Sequence, residues 1–346
     1  LTPKGTTPLA YSLEQAAGDF PDCSDCRNVI MLITDGVEAC EGNPCEVAMK
    51  LQRKGVTLRP FVLGLGIDDS LSSSLSCIGK YYNVTQPDML NQTLKVVIRS
   101  ILDPTTVQVN LLDHEYQPRE TNVALSFTNA LSGELERQMI HTFNFRGRPD
   151  TLYLDPLIDY NLKVHSVPEK QKKHIELTPG KHNIIGVDLP RGSLEFQSSG
   201  LSKYGQLQAV VLDPDSSRII NVQEAEEKHR YLAGLYRLKI LTTPPILVDQ
   251  VRIKGGHSTS VTIPPPGQAN LVSDVPGYGS IVQRLPDADQ PRWVVDLNSR
   301  KPRQSIPLQP GKYTVIYRPR TAGSSRFSVA KNFTIQAGKN TRINLN

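Results

Sequence analysis

All five cysteines of this 346-residue chain, Cys23, Cys26, Cys40, Cys45 and Cys77, fall within its first 77 residues. Thiols this closely spaced can do three kinds of chemistry. Two close pairs and a fifth residue suit disulfide bonds, which form and persist in an oxidising compartment outside the cytoplasm. The same pairs, Cys23-x-x-Cys26 and Cys40 with Cys45, would also offer Zn²⁺ four thiolates in tetrahedral geometry. A thioredoxin-like role for Cys23-x-x-Cys26 needs a strand before the motif and a helix after it, whereas here a strand pattern follows. All five cysteines are therefore disulfide candidates with zinc as the rival, and the odd one is free or paired with sequence outside this chain.

The other chemistry-bearing residues form no such group. His114, His141, His165, His174, His182, His229 and His257 are scattered, and only His165 and His174 are spaced to meet across neighbouring strands. There is no Gly-x-Ser-x-Gly elbow, no His-Glu-x-x-His helix and no phosphate-binding loop, and Gly64-Leu65-Gly66-Ile67 has too few glycines for a dinucleotide turn. No enzyme is expected. Asn83-Val84-Thr85, Asn91-Gln92-Thr93 and Asn332-Phe333-Thr334 match the glycosylation acceptor pattern. The one tryptophan, Trp293, lies in the alternating stretch Arg292-Trp293-Val294-Val295-Asp296, where a core position is expected and an aromatic platform for sugars is not.

The elements around the cysteines follow from periodicity. Arg27 to Gly36 is a short, nearly continuous apolar run ending in Asp-Gly, the pattern of a strand buried on both faces. A helix pattern over Cys45 to Lys54, a strand at Thr57 to Gly66, a helix-like piece at Leu71–Ile78, a strand at Tyr81–Val84 and an amphipathic helix from Met89 to Leu102 follow it. Such alternation implies an α/β arrangement with a parallel sheet.

Gly5-Thr6-Thr7-Pro8-Leu9 opening a helix and Ile33-Thr34-Asp35-Gly36 closing a strand resemble a von Willebrand factor A (vWA) domain. The segments Glu38 to Cys45 and Ser76-Cys77-Ile78-Gly79 resemble a bacterial exported subgroup of it. The resemblance implies the C-terminal part of a Rossmann-like domain, cut at its N-terminus, with a metal-ion-dependent adhesion site. By motif, Thr7 and Asp35 would be its threonine and aspartate, binding Mg²⁺ through hard oxygen ligands. The Asp-x-Ser-x-Ser loop of that site should precede Thr7 and is not in this sequence, so an incomplete, poorly occupied site is expected and Mg²⁺ would need the missing half. Asp68-Asp69-Ser70-Leu71-Ser72 matches the loop literally but follows the other two residues, where helix capping is the plainer role.

From Thr106 onward short alternating strands are separated by Pro, Gly and Asp turns, and a repeat is visible. Tyr160-Asn161-Leu162-Lys163-Val164 corresponds to Tyr236-Arg237-Leu238-Lys239-Ile240 and to Tyr313-Thr314-Val315-Ile316-Tyr317. Gly180, Gly256 and Gly338 mark a second landmark, a hairpin position where positive φ is cheap. The expected architecture is all-β after the α/β part: three tandem β-sandwich modules, immunoglobulin-like or prealbumin-like, at about 105–192, 193–267 and 268–346, after a vWA-like part at 1–104. Pro264-Pro265-Pro266-Gly267 is expected to be a stiff spacer.

Residues 1–104 hold 9 Lys and Arg against 12 Asp and Glu, the remainder 30 against 22. The basic residues are spread along alternating strands rather than clustered, so no nucleic-acid partner is expected. No stretch reaches the run of about 18 apolar residues that a spanning helix needs, and an export signal is expected to lie upstream of Leu1. The function expected is a non-enzymatic extracytoplasmic adhesion or protein-binding component, in the periplasm, at the outer-membrane surface or secreted, in which the vWA part binds a partner protein and the sandwiches act as spacer. The alternative is a metal-independent scaffold subunit of a periplasmic or outer-membrane assembly.

Overall fold

The computed structural model describes residues 5–20, 29–52, 61–65, 75–79, 81–197, 204–284 and 290–346. Its first three strands, β1 (Met31–Thr34), β2 (Phe61–Leu65) and β3 (Tyr81–Val84), form a parallel sheet in which Met31 pairs with Phe61 and Val62 with Tyr81. Among the described residues three α-helices accompany them: α1 (Leu9–Ala16), α2 (Pro44–Gln52) and α3 (Pro87–Leu102). Alternate residues of β2 face opposite ways. Val62 packs with Leu9, Leu13, Ala48 and Leu51 on one side, and Leu63 packs with Val84, Val97 and Leu157 on the other. Burial on both faces explains the unbroken apolar run, each such side chain contributing roughly 1.5–3 kcal/mol.

These elements fall where periodicity places them, yet the Rossmann-like vWA part that the resemblance implied is unsupported, and they amount to a three-stranded parallel sheet. Its order is β1-β2-β3, the order of the chain. A ligand crevice in an open α/β sheet needs a reversal of strand order, and the described strands contain none. The first half of the helix-like piece expected at Leu71–Ile78 lies outside the described residues, as do Asp68, Asp69 and Ser70.

The described residues after α3 form three sets of seven strands. The first comprises β4 (Thr106–Leu112), β5 (Val123–Asn129), β6 (Leu135–His141), β7 (Thr151–Tyr153), β8 (Tyr160–Val164), β9 (Lys170–Ile175) and β10 (His182–Asp188). The second comprises β11 (Arg191–Gln197), β12 (Gln208–Leu212), β13 (Ile219–Glu224), β14 (His229–Leu232), β15 (Gly234–Ile240), β16 (Ile246–Ile253) and β17 (Ser258–Thr262). The third comprises β18 (Gly267–Val272), β19 (Gly277–Gln283), β20 (Arg292–Asp296), β21 (Arg303–Leu308), β22 (Gly311–Pro319), β23 (Val329–Ile335) and β24 (Asn340–Asn344).

Each set makes one three-stranded and one four-stranded sheet with the same connectivity. The orders are β10-β4-β7 with β6-β5-β8-β9, β17-β11-β14 with β13-β12-β15-β16, and β24-β18-β21 with β20-β19-β22-β23. In every set the first strand pairs parallel to the last. Inward residues of the two sheets form one core in the third set, where Ala269, Leu271 and Ile343 meet Ile281, Val315 and Ile335. Buried polar bonds also tie the sheets together, from His141 Nε2 to the Val109 carbonyl at 2.9 Å and from Gln223 Nε2 to the Leu194 carbonyl at 3.3 Å.

The repeat landmarks acquire physical roles. The phenols of Tyr160, Tyr236 and Tyr313 are buried and donate to the carbonyls of Asp155, Leu232 and Gln309, at 3.0, 2.7 and 2.7 Å. A buried phenol needs such a partner, and a carbonyl a few residues upstream makes a tyrosine corner. Gly180, Gly256 and Gly338 take φ of 65, 72 and 69°, where a side chain would strain the backbone. Two expectations need correction. Pro264 is exposed and Pro265 half-buried, but Pro266 is buried and Gly267 already opens β18, so the end of the proline run belongs to the sandwich rather than to a spacer. Trp293 is 60% exposed rather than in the core, because a bulge between Ile281 and Val282 puts Val294 and Val295 against the core and turns the indole outward.

Candidate functional site

Thr7 and Asp35 lie on adjoining turns. The Thr7 hydroxyl sits over Gly36, so close that a β-carbon there would meet Oγ1 at 3.4 Å. The Thr7 carbonyl accepts from Leu9 N at 3.2 Å and Ala39 N at 3.1 Å, clamping the start of α1 onto the segment after β1. Glu38 completes the clamp: its carboxylate accepts from Ala10 N at 2.6 Å and from Cys40 N at 2.9 Å. A carboxylate on the free amides of a helix N-terminus is the stabilising arrangement, so Glu38 serves the fold rather than a cation. Two oxygens do not make an octahedral shell. Among the described residues no group of three or more His, Cys, Asp or Glu side chains is placed to hold a metal ion. The residues present do not fit the Mg²⁺ site that the resemblance implied.

Cys45, in the first turn of α2, is bonded to Cys77 with their α-carbons 5.4 Å apart. That bond removes Cys45 from any four-thiolate zinc site. Cys40 is a free, exposed thiol whose sulfur lies 2.9 Å from Thr6 Oγ1. Cys23 and Cys26 lie outside the described residues.

His165 and His174 do not meet. His174 sits at a bulge, its amide donating to Asn161 Oδ1. His165 instead lies 2.7 Å through Nε2 from Ser126 Oγ, and its Nδ1 is 3.5 Å from Glu169, which also pairs with Lys163 at 2.8 Å. Serine, histidine and carboxylate in sequence have the look of an activated nucleophile. Ser126 is only 6% exposed, however, and Gln138 Nε2 donates to the same hydroxyl at 3.2 Å. A covered hydroxyl on a central strand has no room for a carbonyl substrate, and the cluster reads as a cross-strand network that holds register. Cross-strand register, invisible to a motif search, is what brings these residues together.

The exposed face of the β20-β19-β22-β23 sheet carries the other concentration of functional chemistry. Paired residues share a face, so the register sets Trp293, Val282, Thr314 and Asn332 in one row across four strands. Asp296, Ser280, Ile316 and Ala330 form the next row. Trp293 Nε1 donates to Asp296 Oδ1 at 2.9 Å, and Ser280 Oγ to the same oxygen at 2.6 Å. The Ser280 and Trp293 hydrogen bonds hold the Asp296 carboxyl below its ordinary range. Beside the tryptophan row is an open cleft of about 510 Å³ lined by Arg284, Lys312, Thr314, Asn332, Phe333 and Thr334.

No family model matches the chain. Over 80 residues it is 36% identical to the uncharacterized protein YwmC of Bacillus subtilis (strain 168), covering 22% of this chain and 34% of that one. Over 98 residues it is 30% identical to the uncharacterized protein YwmD of the same organism, covering 27% and 44%. The chain thus matches well under two thirds of the length of either relative. Among solved structures it is similar to the Bacillus anthracis TIE protein, with TM-score 0.21, 14% identity and coverage of 70% of this chain and 50% of that one. It is also similar to the pilus adhesin SpaC from Lactobacillus rhamnosus GG, with TM-score 0.24, 9% identity and coverage of 97% and 71%. A third is a streptococcal ancillary pilin, with TM-score 0.23, 11% identity and coverage of 70% and 99%.

The vWA resemblance is overturned. No model of that family or any other matches, the chain is mostly β with small helical content, and among the described residues no group of three or more His, Cys, Asp or Glu side chains is placed to hold a metal ion. The motif misleads for a physical reason. A short apolar strand ending in Asp-Gly is what any strand covered on both faces and followed by a tight turn looks like.

Proposed function

We propose that this chain is a non-enzymatic, extracytoplasmic adhesion or protein-binding component whose sandwiches, at about 105–192, 193–267 and 268–346, carry the binding surfaces. The observation that carries this reading is the threefold recurrence of one seven-strand connectivity, each copy anchored by its own buried tyrosine. Repeated modules of this kind carry their loops and outer faces as independent surfaces. The Cys45–Cys77 bond supports an oxidising compartment. Among the described residues no helix is long and apolar enough to cross a membrane. Ser126, the one hydroxyl among the described residues that is paired with a histidine beside a carboxylate, is too covered to act as a nucleophile.

The test is adherence. Beads carrying the oxidised chain are allowed to settle on intact and protease-treated bacterial and animal cell surfaces under flow. Retention that protease abolishes supports a protein partner. Retention no greater than that of beads coated with an unrelated sandwich protein refutes the reading.

A further inference from the structure

We infer that the outer face of the β20-β19-β22-β23 sheet binds an acidic polysaccharide, with Trp293 as the platform for a sugar ring. An indole left 60% exposed forgoes a large apolar contribution that burial would supply. Its orientation is nevertheless set, because Asp296 holds its Nε1 and Ser280 holds Asp296. A rigid ring face costs little further ordering when a ligand stacks on it. Tyr278, the other exposed aromatic of this face, already has the guanidinium groups of Arg318 and Arg320 over its ring, 5.7 and 5.9 Å from its centre. Among the described residues no aromatic or cationic group stacks on Trp293.

The neighbouring groups suit a sugar polymer bearing negative charge. Thr314 Oγ1 donates to Asn332 Oδ1 at 2.7 Å, which fixes the Asn332 amide and leaves its two N–H donors for a ligand hydroxyl. Arg284 and Lys312 stand at the cleft end of the face, and among the described residues neither has an ion-pair partner. In these four strands Asp296 is the single carboxylate, and it is committed to the indole. With strands about 4.8 Å apart and about 3.4 Å per residue along each, the indole and the two cations stand roughly 8–12 Å apart. That distance exceeds one sugar ring, so the ligand is a chain: C–H faces on the indole, hydroxyls to Asn332 and Thr334, carboxylates to Arg284 and Lys312. A flat, exposed ring beside amide and hydroxyl donors on the face of the sheet suits a sugar, whereas an acidic peptide would add as a strand along the open edge of β20, away from Asn332 and Lys312.

This site stands apart from the protein partner proposed above, and protease treatment does not test it. Trp293 is the only tryptophan in the chain, so its fluorescence reports the site directly. The full chain is titrated with polygalacturonate and with hyaluronate, and with dextran and poly-glutamate as neutral and non-sugar controls. The expected result is a saturable emission change with an acidic polysaccharide, tenfold or more weaker in R284A/K312A. Calorimetry should show binding lost in W293A, whose melting temperature stays at the parent value because the ring is exposed. Equal binding of poly-glutamate, which would mean simple polyanion capture, overturns the inference. So does an absence of response to both polysaccharides, or unchanged binding by W293A.

Discussion

The phenol of Tyr236 donates to the carbonyl of Leu232 at 2.7 Å, and 77 residues later Tyr313 makes the same bond to Gln309 at 2.7 Å. Tyr236→Phe should lower stability by about 1 kcal/mol, the net worth of one hydrogen bond whose partner stays half-buried. Urea denaturation should show this, with Tyr278→Phe, at an exposed ring, unchanged.

The same tyrosine predicts alkaline behaviour. Burial pushes the Tyr236 phenol up to about 12 from an ordinary 10.0. A raised acid pKa means that the folded state holds its proton more tightly, so the stabilisation is complete below about 10 and fades as pH rises toward 12. Two units correspond to about 2–3 kcal/mol. Denaturation midpoints measured from pH 9 to 12 should fall, and Tyr236→Phe should flatten the fall.

Reduction of Cys45–Cys77 should destabilise the first of the two compact units, Leu1–Leu189, and leave Pro190–Asn346 unaffected. The bond closes a loop with a sequence separation of 32, for which loop entropy gives about 3–4 kcal/mol. Scanning calorimetry with and without reductant should show one transition falling by roughly 10 °C and another staying in place.

Two kinds of glycine should fail differently. A β-carbon on Gly192 would lie 2.2 Å from the Lys254 carbonyl, and one on Gly267 2.5 Å from the Gln336 carbonyl, both backbone atoms that cannot step aside. Gly192→Ala and Gly267→Ala should each cost about 3 kcal/mol or more, beyond ordinary overpacking. Gly338→Ala meets open space and only positive φ, and should cost about 1–2 kcal/mol. Chemical denaturation of the three variants checks the order.

Asp296 should make tryptophan fluorescence respond to acid. Its carboxyl is held below the ordinary 3.8 by Ser280 and Trp293. The depressed folded value means that these bonds persist as pH falls past 3.8 and break only below it. Emission should stay constant from neutral pH to about 4 and change below that. Asp296→Asn should remove the transition.

Much of the β architecture was legible because local rules and burial agreed. Tyr160, Tyr236 and Tyr313 stood at matching places in alternating strands, and Gly180, Gly256 and Gly338 at matching turns, so the repeat showed without coordinates. The N-terminal elements were also legible one by one. Their kinship was misread, since Thr7 and Asp35 sit where a capped helix and a strand-ending turn place them in many folds. Trp293 was misread because alternation assigns faces only while the register is regular, and one bulge shifts it.

By itself, the order of residues determined where strands begin and turn, which side of most of them is apolar, and that one unit recurs. These are consequences of period-two side-chain geometry and of the backbone that glycine permits, both local properties. Only the folded chain decided that Cys45 joins Cys77, that Glu38 caps α1, that Ser126 meets His165 and that Trp293 faces water beside Arg284 and Lys312. Those relationships depend on pairing register and packing between residues far apart in sequence, and a chain read in one dimension carries no record of either.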